Sequence, residues 1–355
     1  YRRGIDDSGL QLRPVGSPRQ STTVRPLTVS GAEPATVKPL RFEQAKGYTA
    51  TYGGGEFNVA VSLANYGIDA EFVTRVPNNE IGMCAVKEMR KMNVASQNVL
   101  FGGDRLGIYF LETGAVSRGS KVVYDRAHSS MSAIQPGMVN WAEVFKGVEW
   151  FHWTGITPAI SQSSADACLE AVKAASKLGI TISTDLNYRA KLWKYGKQPA
   201  EVMPELVSYA DLIMGNIWSA RDLMGIDVPK GAATAVTKEE FAACAKETAT
   251  ILFTKNSNCK FVANTFRFTP DGAGVDYYAT LDTTGEQAVS VSFQANSVVD
   301  KVGSGDCFMA GLIYGIHNGH DYTETINYAA SAAFGKLQEL GDSTKQTIEQ
   351  IKSRY

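Results

Sequence analysis

The sequence VDKVGSGDCFMAG, residues 299–311, combines a tight glycine turn with the start of a helix. Gly303, Ser304 and Gly305 precede Asp306, and apolar residues then follow at helical spacing. Such a turn directs backbone N–H groups and the positive end of a helix at one point, which suits an anion such as a phosphoryl group. The carboxylate of Asp306 would lie at the edge of that point. Because an anion hole with a base beside it is the minimum for phosphoryl transfer to a hydroxyl, this stretch predicts that chemistry.

A second glycine cluster lies near the other end of the chain. Gly54 and Gly55 belong to a run of three glycines that comes just before a predicted helix. Consecutive glycines let the backbone approach a ligand closely, and Asn58 in the first turn of that helix could hydrogen-bond sugar hydroxyls. A flexible connection between a strand and a helix is the alternative interpretation. Together with the other glycine turn and its acid at 303–306, this cluster favours a binding site.

Two familiar nucleotide-binding motifs are absent from the sequence. No G-x-x-x-x-G-K-[ST] occurs, and the nearest string has Ser120 where the lysine should be. Phe308 stands where the last glycine of a G-x-G-x-x-G would be needed. The sequence therefore disfavours a P-loop ATPase and a dinucleotide-dependent oxidoreductase.

The composition is that of an ordinary soluble globular protein. The 355 residues are 44% hydrophobic and 20% charged, and 35 Lys and Arg against 36 Asp and Glu give a formal net charge of −1. This balance gives no reason to expect binding to nucleic acid or to an anionic membrane. The five cysteines are scattered and no apolar run reaches membrane-spanning length, so we expect a reducing, cytoplasmic location.

Strand-like and helix-like patterns alternate along most of the chain. The patterns predict strands at 71–76, 148–153, 180–185, 212–215, 277–281 and 288–293, and helices at 55–66, 81–92, 165–178, 201–209, 238–246, 304–318 and 322–338. A further strand is expected at either 251–253 or 260–265. Alternation of this kind predicts an α/β fold with a mostly parallel central sheet flanked by helices on both faces.

The remaining segments are expected to form a small lid and an N-terminal tail. Stretches with only strand-like patterns, at about 36–52 and 102–127, are expected to form a small projecting β-sheet lid. Residues 1–24 are rich in Arg, Ser, Thr and Pro and predict a poorly ordered N-terminal tail, followed by one domain at 25–355.

Several strings from about residue 40 to the C-terminus resemble the PfkB, or ribokinase-like, family of carbohydrate kinases. Residues 51–82 are similar to the first signature of that family, and residues 300–311 resemble the second, usually D-T-x-G-A-G-D. Four further strings are similar to the branch that phosphorylates 2-keto-3-deoxygluconate (KDG): GGDRLGIYF at 102–110, YDRAHS at 124–129, FHWTGITP at 151–158 and DLNYR at 185–189.

The resemblance implies a ribokinase-like fold and ATP-dependent transfer of the γ-phosphoryl group to the primary hydroxyl of a sugar acid. Asp306 would be the base that takes the hydroxyl proton, and the turn 303–306 would stabilise the charge of the phosphoryl group. A cap at the start of the helix is the alternative role for this carboxylate.

The arginines within the matched strings have a physical reason to be there. A sugar acid brings a carboxylate, which an arginine fork binds well. The family likeness implies eight substrate contacts: Gly54, Gly55, Asn58, Arg105, Tyr109, Tyr124, Arg126 and Arg189. A solvated surface charge is the alternative for any single arginine, and for Arg105 both interpretations stay open.

Departures from the family pattern concern mainly the nucleotide side. The resemblance implies four contacts to ATP: Asn216, Arg267, Gly303 and Gly305. It also implies Mg²⁺ held mostly by phosphates and water, with no structural metal. The family's N-x-x-E string ends here in Ser219, so the asparagine is kept while a carboxylate that would position the metal is lost. The first strand is expected at 27–34, and it either ends at Pro34 or runs irregularly, because proline cannot donate to a ladder.

Two other functions are compatible with these motifs. A fructokinase or ribokinase of the same family would take a neutral sugar, and the arginine-bearing strings argue against it. A catalytically weakened homologue acting as a sensor or scaffold would explain Ser219, but it would have no need of the turn at 303–306. A homo-oligomer, most simply a dimer, is expected because the exposed edge or face of the lid needs covering.

Overall fold

Thirteen strands and ten α-helices form in the part of the chain that the computed structural model describes, residues 21–26, 41–45, 48–112, 119–269 and 274–355. The strands are β1 (Ser21–Pro26), β2 (Tyr48–Gly53), β3 (Arg75–Val76), β4 (Leu100–Phe101), β5 (Gly107–Glu112), β6 (Lys121–Asp125), β7 (Trp150–Thr154), β8 (Thr181–Asp185), β9 (Leu212–Gly215), β10 (Phe261–Phe268), β11 (Val275–Asp282), β12 (Gln287–Val289) and β13 (Phe293–Ala295). The helices are α1 (Gly55–Asn65), α2 (Glu80–Lys91), α3 (Trp141–Val144), α4 (Gln162–Lys177), α5 (Pro199–Val207), α6 (Ile217–Met224), α7 (Lys238–Lys255), α8 (Ser304–His317), α9 (Tyr322–Lys336) and α10 (Ile348–Lys352).

The central sheet has a parallel half and an antiparallel half. Its strand order is β12-β11-β10-β9-β8-β7, and β13 also pairs with β11. Strands β7 to β10 are parallel neighbours, whereas β11 is antiparallel to β10, β12 and β13. The predicted α/β sheet is therefore confirmed, with its antiparallel strands gathered at one side.

Helices cover both faces of this sheet, as predicted. The side chains of β9 point alternately to the two faces: Leu212 and Met214 pack in one hydrophobic cluster, and Ile213 packs in another. The first cluster includes buried residues of α1, α8 and α9, and the second includes buried residues of α4, α5 and α6. Successive residues of a parallel strand that is buried on both faces thus pack in two different cores. This explains why the sequence of β9 is apolar throughout.

Three predicted strands differ from the observed elements. The strand expected at 288–293 is divided between β12 and β13, with residues 290–292 outside both. Residues 251–253, one of the two alternatives for a strand, lie inside α7, and the other alternative is correct because β10 spans Phe261–Phe268. Ile251 and Phe253 favour a strand locally, but burial of Ala249 and Leu252 against the sheet keeps this segment helical. The strand expected at 71–76 is regular only in β3, and Glu71 makes an isolated bridge to Ala95.

A second, four-stranded sheet has the order β2-β1-β5-β6, and we call it the lid sheet. Strands β2, β5 and β6 lie in or next to the segments predicted for a lid. Strand β1 includes the last four residues of the segment 1–24, and these residues pair with both β2 and β5. Their composition looked like a tail, but Thr22, Thr23 and Val24 are β-branched and favour a strand once partners are available. Residues 1–20 and the strand expected at 27–34 lie outside the described residues.

Helices α8 and α9 pack closely, which fixes where α8 begins. A Cβ added to Gly311 would lie 2.6 Å from Cα of Ala329, and one added to Gly315 would lie 2.7 Å from Oγ1 of Thr325. The two glycines therefore let the helices approach, as their four-residue spacing predicts. This contact anchors the helix whose first turn carries Asp306.

Candidate active site

The predicted site residues converge where the parallel strands end. Thr154 and Asp185 are the last residues of β7 and β8, and Gly215 is the last of β9. In open parallel sheets, ligands bind in the crevice outside these carboxyl ends. The N-terminal turns of α1 and α8 meet at the same edge, since Asn58 contacts Asp306 across 248 residues of sequence.

Asp306 lies buried in the first turn of α8, with its side chain held by Asn58. Nδ2 of Asn58 donates a hydrogen bond of 2.7 Å to Oδ2 of Asp306. Burial raises the pKa of Asp306 to about 8, the bond from Asn58 lowers it, and the nearby Asp185 raises it. A carboxylate with its pKa near neutrality is suited to accept a proton.

Two more acids surround this carboxylate, and the sequence analysis did not assign them a role. Glu56 accepts hydrogen bonds at Oε1 from the backbone N–H (3.1 Å) and hydroxyl (3.0 Å) of Thr154 and from the hydroxyl of Thr157 (2.9 Å). Burial raises the pKa of Asp185 to about 6, and Arg189 lowers it. Both acids raise the pKa of Asp306. They could have been suspected from their positions, one at a strand end and one in a glycine turn.

Gly55 lies directly beside Asp306. A Cβ added to Gly55 would lie 3.3 Å from Cγ2 of Thr154, 3.6 Å from Oδ1 of Asp306 and 3.7 Å from Nδ2 of Asn187. Asn187 adopts a left-handed conformation with φ 41°, which is uncommon for a residue other than glycine and recurs at functional sites. The absence of a side chain at position 55 keeps the carboxylate of Asp306 open to a ligand.

Arg126 presents a guanidinium with unused donors. It lies 5.0 Å from the ring centroid of Tyr124 and 5.6 Å from that of Tyr109, so both rings face the cation. Its Nε and Nη1 are shielded from solvent and have no hydrogen-bond acceptor among the residues that the structure describes. Burial lowers the pKa of Arg126 to about 10, so the group keeps its charge at neutral pH. These donors are available to a ligand.

Arg189 lies on the same side of the site and is exposed. Its charge lowers the pKa of Asp185, Asp306 and Arg126, which places it near all three groups. Nη1 donates to the backbone carbonyl of Tyr188 at 3.0 Å. Arg189 therefore lies within electrostatic range of Arg126 and of the two carboxylates.

Arg105 and Tyr109 have partners inside the protein. Nη2 of Arg105 forms an ion pair with Asp125 at 2.6 Å, and Nη1 donates to the carbonyl of Ala127 at 2.8 Å. These bonds tie the end of β6 to the chain before β5. The hydroxyl of Tyr109 donates to Oδ2 of Asp342 at 2.8 Å. The sequence analysis gave no role to Asp342, because nothing in its local sequence signals one.

Three of the residues predicted to contact ATP, Asn216, Gly303 and Gly305, lie at helix N-termini. Gly303 is the N-cap of α8 with φ 78°, and a Cβ there would overlap the carbonyl oxygen of Asp342. The first N–H groups of a helix have no intrahelical acceptor, so the turn with Gly305 can bind an anion. Asn216 caps α6, where its Oδ1 accepts from the backbone N–H of Trp218 at 3.1 Å and of Ser219 at 2.9 Å.

Ser219 lies beside Asn216 at this cap, and Arg267 is the remaining predicted ATP contact. Oγ of Ser219 accepts from the N–H of Asn216 at 2.9 Å and donates to its carbonyl at 2.8 Å, so it completes a capping box where the family has Glu. Arg267 lies on β10 opposite Tyr277 of β11. No group of three or more His, Cys, Asp or Glu among the described residues is arranged to hold a metal ion.

An anion-binding helix terminus beside a buried base, at the carboxyl edge of a parallel sheet, is the arrangement of an enzyme that transfers a phosphoryl group to a small hydroxyl compound. Comparison with known proteins gives the family. The chain belongs to the pfkB family of carbohydrate kinases, whose family model matches residues 39–348. It is therefore a sugar kinase with a ribokinase-like fold, which uses ATP as its phosphoryl donor.

Similar proteins cover nearly the whole chain. The crystal structure of 2-dehydro-3-deoxygluconokinase from Thermotoga maritima superposes with a TM-score of 0.85 at 34% identity, and the match covers 97% of this chain and 99% of that one. The 2-dehydro-3-deoxygluconokinase of Bacillus subtilis is 26% identical over 85% of this chain and 90% of its own length. The 2-dehydro-3-deoxygalactonokinase of Haloferax volcanii is 25% identical over 88% of this chain and 90% of its own length.

Within the described residues, the helices are all too short or too polar to cross a membrane.

Proposed function

We propose that the protein phosphorylates 2-keto-3-deoxygluconate, also called 2-dehydro-3-deoxygluconate, at its primary hydroxyl to give the 6-phosphate. The observation that carries this proposal is Arg126, whose buried Nε and Nη1 have no acceptor among the described residues. A buried cation without a partner is unfavourable, and a carboxylate ligand would supply both the opposite charge and two acceptors. A neutral sugar would supply no charge. The names of two similar proteins support the same substrate.

The sugar chain would extend from the two arginines toward Asp306. Oδ1 of Asn58 is buried and has no donor among the described residues, so it can accept a hydrogen bond from a sugar hydroxyl while Nδ2 holds Asp306. Gly55 lies beside Asp306, and its lack of a side chain would let the sugar approach there. Tyr109 and Tyr124 would fix the guanidinium of Arg126, and Arg189 would add a second positive charge for the carboxylate.

Asp306 would act as the base of the transfer. Its carboxylate takes the proton of the primary hydroxyl, whose oxygen forms the new bond to the γ-phosphorus while the bond to the bridging oxygen of ADP breaks. The N–H groups of the turn from Gly303 to Gly305 would stabilise the charge on the phosphoryl oxygens. The proton thus stays on Asp306 until solvent removes it, and no covalent intermediate with the protein is needed.

ATP would bind against the same helix terminus from the other side. Asn216 and Arg267 would contact the nucleotide, with the Asn216 amide oxygen already used as a helix cap. Mg²⁺, when bound, would neutralise charge on the phosphates. The residues present suit an ion held mainly by phosphate and water, because position 219 offers a hydroxyl engaged in its own cap and no carboxylate.

Turnover by the wild type and by Asp306→Ala, with saturating KDG, ATP and Mg²⁺, tests this proposal. We expect the wild type to form the 6-phosphate, identified by phosphorus NMR, and Asp306→Ala to bind KDG without measurable turnover. If neither protein turns over while the wild type still binds KDG in calorimetry, the proposal is wrong and a sensor or scaffold takes its place.

A dimer formed through the lid sheet remains part of this proposal. Val123 of β6 is 49% exposed and Tyr48 of β2 is 38% exposed, so both outer strands of the lid sheet carry apolar side chains in solvent. Light scattering after size exclusion tests it. A monomer across the micromolar range would contradict it.

A further inference from the structure

Lys336, the last residue of α9, is fully buried, with 0% of its surface exposed. Its Nζ donates a hydrogen bond of 3.1 Å to the backbone carbonyl of Glu339, and within the described residues it has no other acceptor and no ion pair. The carboxylate of Glu339 accepts instead from the hydroxyl of Thr344 and from the N–H of Lys345. Because a buried charge without a counter-charge is unfavourable, the place of this lysine needs a physical reason.

A helix cap is the simplest role for Lys336, but it does not account for the burial. Lysines near the end of a helix commonly hydrogen-bond the last carbonyls. An exposed lysine does so with its charged head in water, and so it avoids the cost of desolvation. A reason for placing the charge in the interior must therefore lie in what surrounds it.

Lys336 lies beside the turn 303–306, which begins α8. A Cβ added to Gly303 would lie 3.4 Å from Cε of Lys336. The carbonyl of Leu337, the next residue, accepts from the N–H of Val299 at 2.8 Å. Oγ of Ser304 donates to the carbonyl of Ala333 at 3.1 Å. The end of α9 is thus hydrogen-bonded to the chain before the turn and to the turn itself, and it holds the lysine next to both.

The charge of Lys336 acts on the first turns of α8. Burial raises the pKa of the Cys307 thiol to about 12, whereas the hydrogen bond with Ser62 and the charge of Lys336 lower it. Burial and four other groups act on the pKa of Asp306: Asn58, Asp185, Arg189 and Glu56. The charge of Lys336 is therefore directed at the anion-binding part of the turn, and the base is controlled by different residues.

We propose that Lys336 is a positioning residue, which holds a fixed positive charge beside the turn 303–306 and so stabilises the negative charge of the transferring phosphoryl group. The N–H groups of the turn would contact the phosphoryl oxygens, and Lys336 would act across the turn without touching sugar or ATP. The phosphoryl group would in return supply the negative charge that the buried ammonium lacks. The inference rests on the part of the proposed function that makes this turn an anion hole, and it does not depend on which sugar is bound.

Steady-state kinetics of the full chain with Lys336→Met test this role. The substitution keeps most of the buried stem and removes the charge, so kcat for KDG should fall roughly ten- to hundred-fold, the effect of one unit charge acting over several ångströms inside a protein. The KM for KDG should change less than about two-fold, and the pH range over which kcat/KM rises should stay that of the wild type. Because an unpaired buried charge is lost, the melting temperature should be unchanged or higher.

Rescue of Lys336→Ala by small cations is the more specific readout. This variant removes the stem as well as the charge, so an ammonium or methylammonium ion can enter the space that the side chain leaves. Either chloride salt should raise kcat of Lys336→Ala at least about five-fold. Choline chloride at the same ionic strength is the salt control, because choline is too large for that space. The wild type and Lys336→Met should not respond to any of the three salts.

Lys352→Met is the matched control. Lys352 of α10 forms an ion pair of 3.3 Å with Glu324 in the first turn of α9. It therefore also contacts α9, but at the opposite end of the helix from Lys336. The pair is partly exposed, so its loss should have little effect on stability, and kcat should stay within about two-fold of the wild-type value.

The outcomes separate this inference from the proposed function. A wild-type kcat in Lys336→Met would overturn the inference. So would a lower melting temperature in Lys336→Met together with no rescue of Lys336→Ala, or failure of both variants to fold, because the lysine would then be structural. If Lys336→Ala alone fails to fold, kcat and the pH profile of Lys336→Met decide.

The choice of sugar is tested independently of Lys336. If the wild type prefers a neutral sugar, the assignment of KDG fails, and the same measurements with the preferred sugar still test the lysine. If the wild type phosphorylates no sugar, the proposed function fails first and the inference falls with it.

Discussion

The amide of Asn58 donates a hydrogen bond of 2.7 Å to the carboxylate of Asp306, although 248 residues separate them in the sequence. The bond joins the first turn of α1 to the first turn of α8, so the two glycine turns of the sequence form one site. It favours the charged form of a carboxylate that burial disfavours. The balance of these two effects determines the pH range in which Asp306 can accept a proton.

The first prediction concerns the pH dependence of catalysis. Because burial raises the pKa of Asp306 to about 8 and a base must be unprotonated, kcat/KM for the sugar should rise with pH between about 6 and 8. Asn58→Ala removes the bond that lowers this pKa, so the rise should move to higher pH. A profile from pH 5.5 to 9.5 for both proteins checks this. A wild-type profile that is flat from pH 6 upward would contradict it.

The second prediction concerns stability. The folded protein holds a proton on Asp306 up to about pH 8, whereas the unfolded chain loses it near pH 4, so the unfolding free energy should fall as pH rises between these values. Asp306→Asn lacks this dependence. It should therefore be more stable than the wild type at pH 8, by on the order of a few kcal/mol, and closer to it at pH 4.5. Urea unfolding at both pH values measures the difference in unfolding free energy between the two proteins. If this difference is the same at both pH values, the pKa of Asp306 is not raised in the folded protein.

The third prediction concerns Arg126. Arg126→Lys keeps a charge but loses the planar fork and its stacking on Tyr124, so kcat/KM for KDG should fall about ten- to hundred-fold, mainly through KM. Because Nε and Nη1 have no acceptor among the described residues, Arg126→Met should leave the melting temperature unchanged or higher. A marked fall in that temperature would mean that Arg126 is structural.

Arg105→Met is the comparison for Arg126. The guanidinium of Arg105 bonds to Asp125 and to the carbonyl of Ala127, so its loss should lower the melting temperature. We expect a smaller change in the KM for KDG than with Arg126→Lys. A larger change would make Arg105 a substrate contact, the alternative that the sequence leaves open.

The fourth prediction concerns the N-cap of α8. Gly303→Ala should abolish most activity and lower the melting temperature, because its φ is 78° and an added Cβ would overlap the carbonyl oxygen of Asp342. Gly67→Ala is the matched control, with φ 79° and no described atom within 4 Å of an added Cβ. It should cost only about 1 kcal/mol and leave kcat intact. Equal losses in the two variants would show that the contact with Asp342 does not matter.

The parts of the fold that the sequence predicts well are those with a clear local period. The bounds of β9 match the prediction at 212–215 because a short apolar run lies between polar segments. The start of α8 matches because Gly303 marks it. The sequence fails where tertiary contacts decide, as in residues 251–253, which are β-branched or aromatic in part but helical within α7. Strand β1 likewise depends on pairing with two distant strands.

The same distinction between local sequence signals and tertiary contacts applies to the candidate site. Asp306 and Asn58 stand in glycine turns whose function can be inferred from a few neighbouring residues. The hydrogen-bond partners of Arg105 and Tyr109 cannot be inferred in this way, because they depend on the three-dimensional packing of the lid sheet. Asp342 has no local motif, and its position becomes meaningful only once Tyr109 and Gly303 are seen beside it.

The most direct test of the account is a side-by-side measurement of kcat/KM for KDG, fructose and ribose with Mg²⁺-ATP. If Arg126 and Arg189 bind a substrate carboxylate, kcat/KM for KDG should exceed that for either neutral sugar by at least about a hundred-fold, since a site built around a charge rejects ligands that leave it unpaired. A clear preference for fructose or ribose would contradict the assignment of a sugar acid.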